Sequence, residues 1–191
     1  MKNVYVFLFE GYADWEIAYL TPEIAKKEGF AIKTFSADGN VVRSAGYLQV
    51  TPEYSLNDVI IEDIDILILP GGMAWEEGKL DYILPLVKQL HDKHITIAAI
   101  CGATIFLAKK GFLNNIKHTS DDLQYLKMVA PEYTGEHLYQ HEMAFSDQQI
   151  ITANGIAPIE FAKEIFESIS LYDSSRIEKW YQLFKNGIWS E

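Results

Sequence analysis

The sequence predicts an α/β fold: a three-layer arrangement with a mainly parallel central sheet and helices on both faces. Three observations carry this. Short apolar, β-prone runs alternate with segments of helical composition along the chain. The run over residues 65–69 is almost unbroken Ile and Leu, as a strand buried on both faces requires. Small-residue turns, Pro70-Gly71-Gly72 and Cys101-Gly102-Ala103, directly follow two such runs.

Residues 4–9 read as the first strand. Residues 14–28 are helical in composition, interrupted by Pro22 and closed by Gly29. A second strand follows over 31–36, with Asp38-Gly39-Asn40 as its turn. Residues 41–50 form a hairpin turning near Ala45-Gly46. After the 65–69 strand, residues 79–94 read as a helix that tolerates Pro85 near its start. Residues 95–100 are the next strand and 105–110 begin the next helix, which stops at Gly111. A late strand covers 149–152. Residues 159–171 form a helix with Ile165, Phe166 and Ile169 on one stripe. Ile177, Trp180, Tyr181, Phe184 and Ile188 make a last stripe at helical spacing, suited to core or to a subunit contact.

A chain of 191 residues, 49% of them hydrophobic, can build one large core, so a single domain over 1–191 is expected without disulfide or metal staples. The lone cysteine excludes an internal disulfide and suits a reducing, cytoplasmic setting. The apolar run over 4–9 is too short for a signal segment, and no run approaches a membrane span. A net charge of −11 argues against nucleic acid as a partner. A membrane partner and a cofactor are likewise not expected.

Cys101 is the most informative residue. It sits between a buried strand and a helix on a small-residue turn, the layout of a nucleophile elbow. A helix N-terminus favours thiolate, so the expectation is a thiol pKa below the free value of about 8.5. The alternative is a buried, inert cysteine. Open α/β sheets place their sites at the carboxyl ends of the strands. There the Cys101 elbow should meet Gly11-Tyr12-Ala13-Asp14-Trp15-Glu16 and Pro70-Gly71-Gly72-Met73. Glu16 has a plain reading as a solvated first-turn acid, and Asp14 as a helix cap. The amides of Gly71, Gly72 and Gly102 are candidate oxyanion donors.

These residues carry a resemblance to the ThiJ/PfpI superfamily, the Parkinson-protein-like branch of the class I glutamine amidotransferase-like fold, which is flavodoxin-like. Leu69-Pro70-Gly71-Gly72 resembles the family's oxyanion-side turn, and Ala98-Ala99-Ile100-Cys101-Gly102 its elbow. Asp14-Trp15-Glu16 resembles its acidic motif; Gly111-Phe112-Leu113 and Ile151-Thr152-Ala153-Asn154-Gly155 match two further segments. The resemblance implies that Glu16 faces Cys101, partly buried and protonated, and donates to the sulfur. It also implies a homodimer.

The departures bear on activity. Protease-like members have His directly after the cysteine; here that position is Gly102. Other members carry a His after the segment resembling 111–119, and alignment places Asp121, or nearby Ser120, there. His118 lies three places early, and on a strand an odd displacement faces it the other way. It is nonetheless kept as a candidate base. His137 and His141, with Glu142, have metal-pair spacing only on a helix, which the local sequence does not support, so no metal is expected. His91 and His94 read as surface residues. The expected function is a cysteine-dependent hydrolase or lyase, an intracellular peptidase by similarity but better suited to small electrophiles than to peptides. The alternative is a non-enzymatic, redox-responsive or chaperone-like protein with an oxidisable Cys101. A degenerate structural homologue is a third reading.

Overall fold

The structure is a computed structural model and describes residues 1–189. Nine strands and six α-helices are described: β1 (Lys2–Phe7), α1 (Leu20–Ala25), β2 (Phe30–Ser36), β3 (Val42–Arg43), β4 (Gln49–Val50), β5 (Tyr54–Ser55), β6 (Ile66–Leu69), α2 (Leu84–Asp92), β7 (Thr96–Ile100), α3 (Gly102–Lys109), α4 (Leu123–Val129), β8 (Ala144–Asp147), β9 (Ile150–Ala153), α5 (Pro158–Ser168) and α6 (Ser174–Asn186). Seven strands form one sheet in the order β5-β2-β1-β6-β7-β9-β8. Every pairing in it is parallel except β8 with β9.

The five main parallel strands, taken in chain order, lie as 2-1-3-4-5, the flavodoxin-like arrangement. The order reverses between β1 and β6. The turns that leave these two strands therefore diverge and open a crevice at their carboxyl ends. β6 and β9 are buried at every position, and β7 at all but its first, because helices cover both faces. α1 packs on α5 and α5 on α6, while α2 and α3 each pack on β7. α3 is buried from Gly102 to Ala108. It is apolar on every side because it has no solvent face. One apolar cluster runs from Val4 to Trp180.

Where helices are shorter than expected, the cause is local. The 14–28 segment splits into a 3₁₀ turn, Asp14–Glu16, and α1, with Pro22 in the first helical turn, where its missing N–H is harmless. The 79–94 segment likewise opens with a 3₁₀ turn, Asp81–Ile83, before α2. α4 was not expected; it begins where Asp122 accepts the Tyr125 N–H at 2.8 Å. β8 was also not expected, being a half-exposed edge strand of mixed polarity. The last stripe is divided. Ile177 and Trp180 are buried, Trp180 packing on Phe166 at 4.8 Å, but Phe184 is exposed and Ile188 lies beyond α6. Among the described residues no helix is long and apolar enough to cross a membrane.

Candidate active site

Cys101 joins β7 to α3 with φ 55° and ψ −129°. A non-glycine residue in this region is strained by about 1–3 kcal/mol and persists only where its surroundings hold it. They do so at both ends. The Cys101 N–H donates to Ala153 O at 3.0 Å, continuing the β7–β9 pairing. Its carbonyl accepts from Thr104 N–H at 2.9 Å and Thr104 Oγ1 at 2.6 Å, and Ser120 Oγ lies 2.6 Å from that hydroxyl.

Glu16 reaches the same point from the turn after β1. The Gly71 N–H donates to Glu16 Oε2 at 2.5 Å, and Ala13 N–H donates to Gly71 O at 3.0 Å, so two hydrogen bonds lock the acid turn to the turn after β6. A Cβ on Gly71 would stand 2.6 Å from Cys101 Cβ and 2.8 Å from both Glu16 oxygens. Only glycine allows the acid and the cysteine to close on each other there. Glu16 is fully buried, and burial raises its pKa to about 7. The Gly71 N–H and the Cys101 thiol oppose that rise, and the Asp121 charge adds to it. The thiol acts on the carboxyl as a donor, yet Oε1 is left without a well-formed hydrogen bond.

The expectation of an acidified thiol is corrected. Burial pushes Cys101 above its ordinary value, and the charges of Glu16 and Asp121 push it further. The Gly102 N–H at the start of α3 works in the opposite sense but is outweighed. The three turn glycines differ in use. Gly71 engages its N–H with Glu16, so in this state it is no oxyanion donor. The Gly102 N–H bears on the sulfur. Gly72, at φ 152°, leaves no room for a side chain beside Phe9, and its carbonyl lies against Gly102. Trp75 closes the floor, with Nε1 donating to Pro70 O at 2.8 Å.

His118 does not meet its expectation. It is fully buried, with Nδ1 2.8 Å from Ile116 O and Nε2 2.6 Å from Tyr133 Oη. A carbonyl only accepts, so Nδ1 carries the proton and Nε2 accepts from the tyrosine. Both nitrogens are engaged in a pocket between Tyr133 and Tyr139, and burial lowers the ring's pKa. Asp14 is not a helix cap; its Oδ2 accepts from Ser44 Oγ at 2.7 Å and ties down the β3–β4 hairpin. His137 lies in a 3₁₀ turn, and among the described residues no group of three His, Cys, Asp or Glu side chains is placed to hold a metal.

Asp121 occupies the third corner. Its Oδ1 accepts the Gly155 N–H at 2.7 Å, and its carbonyl accepts from Asn154 Nδ2 at 2.8 Å. A Cβ on Gly155 would lie 3.0 Å from Cys101 Sγ and 3.3 Å from Asp121 Oδ1. Tyr125, whose hydroxyl donates to Glu76 Oε2 at 2.6 Å, stands near enough to feel the charges of Asp121 and Cys101. A polar cavity of about 180 Å³ adjoins Asp121, lined by Asp122, Tyr139, His141 and Asn154 among others. A larger cavity, about 490 Å³ beside α6, has none of Cys101, Glu16 or Asp121 in its lining. Sequence reasoning placed Asp121 only where relatives carry His, and gave Gly155 no role. The signal was Asn154-Gly155 directly after a buried strand.

The chain as a whole is similar to known proteins. A model described as the DJ-1/PfpI family matches residues 2–168. The "Uncharacterized protease YoaZ" of Bacillus subtilis is 38% identical over 194 residues, covering 96% of this chain and 91% of its own. The "Deglycase TK1284" of Thermococcus kodakarensis is 29% identical over 120 residues, 62% of this chain and 71% of its own. The crystal structure of a thiJ/pfpI family protein from Bacillus anthracis superposes with a TM-score of 0.91 at 38% identity, covering 98% of this chain and 92% of that one. With a match running from the first strand to the end of α5 and relatives alike over nearly their whole length, the chain belongs to the DJ-1/PfpI family.

Proposed function

We propose that the protein is a cysteine-dependent hydrolase or lyase that acts on small electrophilic carbonyl compounds through Cys101, with Glu16 tuning the thiol. One observation carries this reading. The strained cysteine faces two carboxyl groups, and His118, the candidate base, is engaged elsewhere. Amide hydrolysis needs a strong thiolate and an acid to protonate the departing amine. Addition to an aldehyde expels no amine and so needs no acid for a leaving group. Sγ bonds to the carbonyl carbon, the S–H proton ends on the carbonyl oxygen, and no group leaves. In this reading the Gly102 N–H stabilises negative charge as it forms. The name of the Thermococcus relative, a deglycase, fits this substrate class; the name of the Bacillus relative, a protease, fits it less well.

A second reading rests on Glu16. Its buried carboxyl, protonated up to about pH 7, has an unpartnered oxygen close to the sulfur. A protonated carboxyl there would donate to a sulfinate oxygen, as a redox-responsive cysteine needs. The test offers purified protein methylglyoxal and casein, beside a Cys101→Ala variant. The expected result is Cys101-dependent loss of methylglyoxal and no casein cleavage. Cys101-dependent proteolysis would overturn the ranking. Inertness toward both, with clean conversion to sulfinate by peroxide, would favour the redox reading.

A further inference from the structure

We propose that Asp121 is the general base for Cys101, taking the thiol proton as sulfur attacks and returning it to the substrate oxygen. The inference rests on the reading of Cys101 as the nucleophile and adds the route of the proton. Asp121 Oδ1 and Cys101 Sγ converge on the same point above Gly155, within 3.3 and 3.0 Å of where a Cβ would stand. The Gly155 N–H on Oδ1 and the Asn154 amide on the Asp121 carbonyl fix the carboxylate in place. Asp121 is partly exposed and borders the polar cavity, so its carboxylate is open to an incoming oxygen on that side.

The other acid cannot take this part. Glu16 is sealed from solvent, holds its proton up to about pH 7 and is tied to Gly71. In the step, the S–H bond breaks, its proton moves to the Asp121 carboxylate, and the S–C bond forms. The carbonyl π pair moves to oxygen, which then takes the proton from Asp121. The product is a neutral hemithioacetal, and Asp121 is again ionised. The ionisable groups around this pair are Glu16 from the turn after β1, Tyr125 of α4 with Glu76 behind it, Asp122, Tyr139, and His141 and Glu142 across the cavity.

The test exploits two effects of Asp121 that have opposite signs. As a negative charge it disfavours the thiolate; as a base it assists attack by the thiol. Asn at 121 keeps an oxygen to accept the Gly155 N–H but cannot take a proton. Iodoacetamide alkylation of Cys101 is followed from pH 5 to 10 in the wild type, Asp121→Asn and Asp121→Glu. The wild type is expected to show a pH-independent limb below the thiol's titration, from base-assisted attack. Asp121→Asn should lose that limb and shift its remaining titration to lower pH, and Asp121→Glu should restore the limb. In methylglyoxal turnover, Asp121→Asn should lower kcat about a hundredfold with KM little changed, although its thiol is more acidic. Identical limbs in wild type and Asp121→Asn, or turnover that rises with the easier ionisation, would overturn the proposal. If methylglyoxal is not a substrate, the alkylation profiles still decide it, so failure of the functional reading is distinguishable from failure of this one.

Discussion

Glu16 couples the stability of the protein to pH. Folding raises its pKa from an ordinary 4.5 to about 7, with burial as the main cause. The folded state therefore binds the proton more tightly than the unfolded state. Its stabilising contribution is complete below about pH 4.5 and is lost as pH rises through about 7. At 1.36 kcal/mol per pKa unit, the loss is roughly 3 kcal/mol. Urea unfolding at pH 5 and pH 8 should show Glu16→Gln, which has no proton to lose, escaping this decline. Equal pH dependence in wild type and variant would mean that Glu16 titrates alike in both states. Residue identity was legible in part: Cys101 and Glu16 stand out because a strand, a small-residue turn and an acid leave a local trace in sequence. The ionisation of Cys101 was misread because burial and two carboxylates from distant segments act on it, and neither is local. Asp121 was visible only as a substitution for an expected histidine.

At the scale of elements, the turn after β6 is the piece on which the site is hung. Its Gly71 binds the acid turn through both N–H and C=O, and its Pro70 carbonyl accepts from the buried Trp75 indole. Trp75 also packs on Phe106 of α3 at 5.0 Å and on Phe9 at 5.5 Å, so one ring braces the helix behind the cysteine. Trp75→Phe retains an aromatic ring but removes the N–H. It should lower stability by about 1–3 kcal/mol, since a buried carbonyl loses its donor. Cys101 alkylation should change in parallel as the brace loosens. A urea midpoint indistinguishable from wild type would show that the indole bond bears no weight. The central strands were legible because burial on both faces makes them unbroken apolar runs. α4 and β8 were not, since a short helix of mixed polarity and a half-exposed edge strand take their form from neighbours.

At the scale of the whole molecule, charge sets which electrophiles reach the cysteine. The chain carries −11 at pH 7, and negative charge is concentrated at the site by Asp121, by Asp122 and Glu142 along the adjoining cavity, and by Glu76 behind Tyr125. Such a field attracts cations and repels anions, and salt screens it over about 10 Å at 0.1 M. Methanethiosulfonate reagents of like size and opposite charge measure this without any assumption about substrate. The cationic reagent should modify Cys101 faster than the anionic one by tenfold or more at low ionic strength, and the ratio should collapse toward one in 1 M salt. Asp122→Asn, which lies along the cavity, should narrow the ratio at low salt. A ratio near one that salt does not move would mean that the acidic surface serves solubility alone. A preference for the anion would mean that the Gly102 amide, with the α3 terminus behind it, dominates the carboxylates around it.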